Sequence, residues 1–507
     1  MQEGKNMRYE GGCSTVVFGK NASATGRVIL GHNEDDSLST VQMHAVPRIR
    51  HAEGETVSFG DRPDVKIPQV PETAAFLWSE VRRSGGISFG DCFFNEYGVA
   101  VVSNSCNPCR VPSGCSEEEY LAGMGLGYAV RRLVAERAKS AREGLDIAIE
   151  LVERYGYFGA RTYQIADKDE CWSVQVTRGK RLAAKRVPDG DVYFMPNHYT
   201  IHALEKSDRV NFYSSPDLVE FAMENGWYVP KTPGDFSDFD FAAAYNTEDR
   251  ENCMMRARNA WPILGFEEEW NAGAARGELR PFSFPAKRKY GVDDAKALLR
   301  THYEGRPESL SVTEGGIVSY PCDPHQKDDI PYTICCGSTV ESSVTEFADD
   351  PAATCVHRAW RKPCTNPYVP IFIGALRCPP GYEAMGPAGS DATHFDPPAS
   401  DFEYDPSLAF WLTENLIWQT ELDYGFAHAL LAPEIASVEA GWKAEIEEAK
   451  SRYAELKAQD PGLAAEFLSS FSESKALFTI GWTKRMTQRI GRGKYLANQG
   501  LEKEREE

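Results

Sequence analysis

A cysteine opens the stretch that constrains this chain most, CSTVVFGKNASATGRVILGHNEDD, running from Cys13 to Asp36. Residues 14–18 and 27–30 are apolar runs of strand length, and 19–26 between them is Gly- and Asn-containing turn chemistry. The spacing predicts a β-hairpin. Such a hairpin carries Cys13 at one end and Asn33, Glu34 and Asp35 at the other. A thiol beside polar partners is a candidate nucleophile, because a thiolate attacks an acyl carbon once a base or a lowered pKa frees it of its proton. No cysteine in the chain lies in a papain-like or caspase-like signature. Another base is at hand. A cut at the Gly12–Cys13 bond frees the α-amine of Cys13, whose reference pKa of about 7.7–8.0 lies close to the thiol's value of about 8.5. Gly11 and Gly12 put no side chain in the way of that cut. The plainer alternative is a strand that happens to begin with cysteine.

The rest of the chain supplies what such a hairpin needs around it. Strands are expected at 76–83, 88–94 and 99–102, the last ending in Ser103, Asn104 and Ser105 at the mouth of a buried strand. Helices are expected at 117–141 and 141–155, the second stopping near Gly156. A meander follows at 162–166, 170–176, 181–187 and 192–195, ending at Pro196, Asn197 and His198. Helices are then expected at 218–225 and 293–303, a long loop at 305–330, and strands at 332–336, 339–344 and 368–376. The last hundred or so residues read as helices, 436–459 and 463–488. Strand groups separated and followed by helices indicate an α+β fold, with sheets covered by helices.

Composition narrows the function classes. A net charge of -20 leaves no basic surplus to neutralise phosphates, so nucleic acid is not an expected partner. No apolar run approaches the roughly 18 residues of a spanning helix, so no membrane is expected either. Residues 1–12 lack the apolar region of a secretory signal, which makes the cytoplasm the expected location. Thirteen cysteines scattered through 507 residues suit reduced thiols better than a disulfide framework. Cys106 and Cys109 have C-x-x-C spacing, with Cys115 nearby, but no second pair accompanies them, and loop cysteines are the simpler reading. The adjacent Cys335 and Cys336 are expected to be packing residues.

Four stretches in order, CSTVVFGKNASATGRVILGHNEDD, FFNEYGVAVVSNS, TYQIADKDECWSVQV and RVPDGDVYFMPNHYTI, resemble the dipeptidase A/secernin family of N-terminal-nucleophile (Ntn) hydrolases. Cys13, Gly19, Lys20, Ala22, Ser23, Gly26, Asn33, Glu34 and Asp35 stand at the family's positions, and the resemblance runs to about Ile201. It implies a four-layer αββα sandwich, a cysteine-type dipeptidase acting through a thioester, self-removal of the leader, dipeptide substrates, and no cofactor or metal. Carried across, it makes Cys13 the nucleophile and its freed amine the base, with Asp35 holding both. Asn197 becomes an oxyanion donor, and Asn104 a second polar contact. His32, Asn33, Ser105 and Arg161 are the candidate substrate-binding residues, Arg161 as an anchor for a carboxylate. His32 departs from the pattern, because relatives carry Arg three residues before the Asp.

The expected organisation is a leader at 1–12, a catalytic domain at 13–425 and a helical C-terminal extension at 426–507. Two alternatives stay open at this point. One is an amidase or acyltransferase on non-peptide N-acyl substrates with the same fold. The other is a non-catalytic relative that binds or scaffolds, for which His32 and the long C-terminal helices are the motive. A homo-oligomer is left open as well.

Overall fold

The computed structural model describes residues 12–106, 110–112, 125–247, 250–325, 332–375 and 377–498. The expected starts of the leader and of the first helix, together with Cys109 and Cys115, lie outside them.

Two antiparallel sheets form the centre. The first has seven strands in the order β12-β10-β1-β2-β13-β14-β15. In chain order these are β1 (Ser14–Phe18), β2 (Ile29–Asp35), β10 (Asp191–Met195), β12 (Ser283–Pro285), β13 (Thr339–Glu346), β14 (Cys355–Trp360) and β15 (Val369–Phe372). The second has eight strands in the order β11-β9-β8-β7-β6-β5-β4-β3. These are β3 (Ser39–Val46), β4 (Phe76–Arg83), β5 (Cys92–Asn95), β6 (Ala100–Ser105), β7 (Arg161–Ala166), β8 (Cys171–Val176), β9 (Leu182–Arg186) and β11 (Phe212–Ser214).

Alternation along the strands builds the layers, because successive side chains point to opposite faces. Val17 and Leu30 face inward and meet Met43, Leu77, Val81 and Val102 from the other sheet in one buried cluster. Val16, Phe18 and Ile29 face outward and pack on Ala257, Trp261, Ala295 and Leu298. Those residues belong to α3 (Glu251–Ile263) and α5 (Val292–Leu299), with α4 (Glu267–Ala275) beside them. On the far side, Val101, Tyr163 and Val174 pack under Leu133, Val134, Leu145 and Ala148 of α1 (Ala129–Arg137) and α2 (Ala141–Tyr155). The result is helix, sheet, sheet, helix, the αββα sandwich that the resemblance implies. Helix α2 is delimited as its sequence indicates: the Ser140 side chain accepts the Glu143 N–H at 3.2 Å, and Gly156 leaves the helix at φ 78°.

Three further helices, α6 (Ala409–Glu421), α7 (Tyr424–Lys457) and α8 (Pro461–Asn498), cover β14 and β15. Strand β15 ends its sheet, and the Ser472 hydroxyl of α8 accepts the Phe372 N–H of that strand at 3.1 Å. A helix laid on an edge strand satisfies donors that would otherwise invite another chain. The domain boundary expected at 425/426 falls inside α7.

Some elements differ from expectation. Strand β2 does not stop at Leu30 but runs through the polar residues to Asp35, because it pairs with β1 on one side and β13 on the other. The expected strand at 332–336 is absent from its described residues, and α5 stops at Leu299, short of residue 303. Tertiary pairing overrides local propensity in each case.

Candidate active site

The hairpin β1/β2 sets Ser14 opposite Asn33 and Thr15 opposite His32. Extending β2 through the polar residues puts His32 and Glu34 on its inner face and Asn33 and Asp35 on its outer face. A continuous hydrogen-bonded chain follows on the inner face. The Cys13 thiol donates to Glu34 Oε1 at 3.3 Å, and Glu34 Oε2 lies 3.1 Å from His32 Nε2. His32 Nδ1 lies 2.8 Å from Thr15 Oγ1, whose hydroxyl donates to Asn104 Oδ1 at 2.7 Å across the sandwich. Asn104 Nδ2 in turn donates to the Met195 carbonyl at 3.2 Å.

The protons in this chain can be placed. Asn104 must present its oxygen to Thr15 because its nitrogen is engaged by Met195, so the Thr15 hydroxyl accepts from His32 Nδ1–H. Burial lowers the His32 pKa to about 3, with the nearby Arg131 and Arg161 pushing the same way, so the ring is neutral and Nε2 carries a lone pair. Glu34 therefore supplies the proton between them. Burial raises its pKa well above the usual carboxylate range, against the pull of Arg161. Burial, then Glu34 and Asp35, raises the Cys13 thiol. With Gly12 attached, burial favours the uncharged form of the thiol, the acid and the imidazole alike.

The outer face carries the other half of the site. Arg256, on α3 and fully buried, donates Nη1 to the Gly12 carbonyl, to the Cys13 carbonyl at 2.6 Å and to Ser14 Oγ at 3.2 Å. Its Nη2 donates to Asn197 Oδ1 at 2.9 Å. A guanidinium has only donors, so this contact fixes the Asn197 flip and leaves Nδ2 as the donor side of that amide. Gly12 admits the clamp, since a Cβ there would stand 2.5 Å from Arg256 Nη2. Asp35 accepts from Thr339 Oγ1 at 2.7 Å and from the Cys336 thiol at 3.2 Å, and its own N–H points at the Cys13 sulfur. Burial raises the Asp35 pKa to about 7, opposed by Thr339 and Arg256.

Cys13, Asp35, Asn197, Asn104, His32 and Arg161 thus gather at one place, with altered parts. The Asn104 amide orients Thr15 through its oxygen and gives one of its two N–H donors to the Met195 carbonyl. His32 is enclosed between Glu34 and Thr15, where it links groups instead of touching substrate. Asn33 was expected at the substrate, but its side chain faces the helix layer and donates to the Leu299 and Ile334 carbonyls at 2.8 and 3.0 Å. Ser105 lies opposite Arg161 in the β6/β7 register. Arg161 donates to the Phe89 carbonyl and to Ser103 Oγ, both at 3.0 Å, and its charge reaches Glu34 and Cys13. His202, near Asn197 in sequence, is held by Asp240 Oδ2 and the Arg280 carbonyl, each at 2.8 Å.

Sequence reasoning named Glu34 beside the thiol without giving it a role, and missed Arg256. A signal existed for each. Glu34 shares a strand face with His32 once β2 is continued, and Arg256 lies three and four residues from the buried Cys253 and Ala260 on the apolar stripe of α3. A charged residue at such a position needs a partner, and arginine is almost never fully buried without one.

Comparison with known proteins agrees with this geometry. The family model for Peptidase family C69 matches residues 12–390. A probable dipeptidase of Salmonella dublin is 24% identical over 389 residues, covering 75% of this chain and 85% of that protein. A dipeptidase of Bifidobacterium longum is 23% identical, over 58% of this chain and 59% of its own length. Dipeptidase A of Lactobacillus helveticus is also 23% identical, over 58% and 62%. Among solved structures, a mutant conjugated bile acid hydrolase from Clostridium perfringens covers 69% of this chain and 89% of its own, at 9% identity and a TM-score of 0.30. That last likeness is too loose to bear on the reaction.

Proposed function

The chain belongs to peptidase family C69, whose members hydrolyse peptide bonds, and on that premise we propose that it is a cysteine-type dipeptidase activated by removal of residues 1–12. The observation that carries this reading is the Arg256 clamp. One guanidinium binds the Gly12 carbonyl that would be cut, the Cys13 carbonyl beside the thiol, and the amide of Asn197. In processing, the Cys13 sulfur attacks the Gly12 carbonyl carbon, Arg256 stabilises the oxyanion, and the C–N bond breaks to leave a thioester and the free Cys13 amine. Water then releases the leader.

The freed amine brings a base to the thiol and, when protonated, a cation beside Asp35. That charge favours the Asp35 carboxylate and the thiolate over their neutral forms. In turnover, the amine takes the thiol proton, sulfur adds to the substrate carbonyl, and the amine returns the proton to the leaving nitrogen. Asn197 Nδ2 donates to the oxyanion, and Arg161, at the inner face, receives the substrate carboxylate. Water hydrolyses the thioester by the same proton route. Among the described residues no helix is long and apolar enough to cross a membrane. The eleven described cysteines form no disulfide among themselves, which supports a reducing location such as the cytoplasm.

Intact mass tests the reading directly. The wild type is expected to have lost residues 1–12 and to cleave dipeptides, and Cys13→Ala to keep them and be inactive. Asn197→Ala is expected to process slowly and to lose about 10²–10³ in kcat, the usual cost of an oxyanion donor. A wild type that keeps its leader while cleaving dipeptides sinks the mechanism. Preference for non-peptide amides over dipeptides in a substrate panel would keep the mechanism and replace the substrate.

A further inference from the structure

Four side chains that the proposed reaction does not use converge behind the active site: His302, His325, Cys335 and Cys364. All are buried, and their ligand atoms lie within 4.8 Å of one another. His302 Nε2 and His325 Nε2 face each other at 3.0 Å, and His325 Nε2 is 3.8 Å from Cys335 Sγ and 3.5 Å from Cys364 Sγ. Donors at about 2.0–2.1 Å (nitrogen) and 2.3 Å (sulfur) from a tetrahedral zinc ion stand roughly 3.3–3.8 Å apart; the two sulfurs lie at that spacing from His325, and the two nitrogens are within a few tenths of an ångström of it.

The outer nitrogen of each imidazole faces a carboxylate. The Tyr320 hydroxyl donates to Glu304 Oε1, so His302 Nδ1, 3.2 Å from that carboxylate oxygen, is the donor on its own side. His325 Nδ1 lies 3.0 Å from Asp323 Oδ1. Both Nε2 atoms face each other and the two sulfurs, the four donor atoms converging on one point. A carboxylate behind each imidazole is also how metal-bound histidines are held and made more basic. Tyr424, at the start of α7, closes the group from the side, its ring 5.3 Å from His325 and 5.9 Å from His302.

We infer that His302 Nε2, His325 Nε2, Cys335 Sγ and Cys364 Sγ form a structural zinc site. Two thiolates and two imidazoles suit zinc over harder cations, and four protein donors leave no open position for a substrate. The ion ties the segment after α5 to the β14–β15 connection. The residue after Cys335 is Cys336, which with Thr339 holds the Asp35 carboxylate. The site therefore anchors the wall of the active site from behind. The resemblance to the family implies no metal, and Cys335 reads as a packing residue in sequence. Neither reading brings together ligands scattered from residue 302 to 364.

Metal analysis of the full chain, purified without chelator, is expected to find about one zinc per chain, falling below about one tenth in Cys335→Ser/Cys364→Ser. Cys106→Ser is expected to keep the ion. Wild-type protein reloaded with cobalt is expected to show thiolate-to-cobalt absorption and tetrahedral d–d bands, which tests the site even if the double variant fails to fold. A wild type that takes up neither metal, a Cys335–Cys364 disulfide in mass spectra, or a double variant that keeps its zinc overturns the assignment.

Discussion

At the scale of single residues, the site depends on where protons sit. Burial holds His32 neutral instead of charged. Neutral His32 needs a proton from Glu34, which makes Glu34 an acid and not a carboxylate. Glu34→Gln presents the same oxygen to Cys13 and an N–H to His32, so it is expected to unfold at nearly the wild-type temperature. Glu34→Ala leaves His32 Nε2 buried without a donor and is expected to cost about 1–3 kcal/mol in denaturant titrations. A Gln variant as unstable as the Ala variant would mean that the pair is ionic.

Asp35 makes a pH statement of its own. Its folded pKa of about 7 lies above the unfolded value of roughly 3.9, so between these limits the folded state holds a proton that the unfolded chain has released. Its contribution is full below the unfolded value and is lost as pH rises through 7. In the Cys13→Ala background, where processing cannot intervene, Asp35→Asn is expected to raise the unfolding temperature more at pH 8 than at pH 5. An unchanged gap between the two pH values would rule out a buried Asp35 that titrates.

At the scale of elements, strand alternation and helix caps were legible, and strand ends were not. Residues 14–18 read directly as β1, and the Ser140 cap and Gly156 stop delimit α2 as local chemistry dictates. The polar end of β2 looked like a turn because its stabilising partners, β1 and β13, are supplied by chain far from it, β13 starting at Thr339. Helix α8 shows the same dependence. Trp442, Ile446 and Tyr453 of α7, with Ala464, Leu468 and Ala476 of α8, continue the apolar cluster that lies between the sheets. Deleting residues 461–507 would uncover that surface together with the β15 edge, and is expected to give aggregates in light scattering. A truncated chain that stays monomeric with an unchanged unfolding temperature would show that α8 is an appendage.

At the scale of the whole molecule, the sequence by itself determined an α+β fold and a hairpin with Cys13 at one end and polar residues at the other. Those follow from period-2 alternation, turn residues and ordered motifs, all of which are local patterns. The resemblance of the ordered motifs to a family picked out Asp35 and Asn197, and both lie beside Cys13 or its clamp. What only the tertiary structure decided is which atoms meet and which way they point. Asn33 and Glu34 are neighbours in sequence, yet one faces the helices and the other the thiol, because pairing extended their strand. Arg256 reaches Gly12 across 244 residues, and the two histidines and two cysteines behind Asp35 come from separate loops. Contacts of that separation leave no periodic trace, since each partner alone reads as a helix arginine or a loop histidine. Folding sets them within hydrogen-bond distance in a medium of low dielectric, where each such contact is stronger than it would be in water.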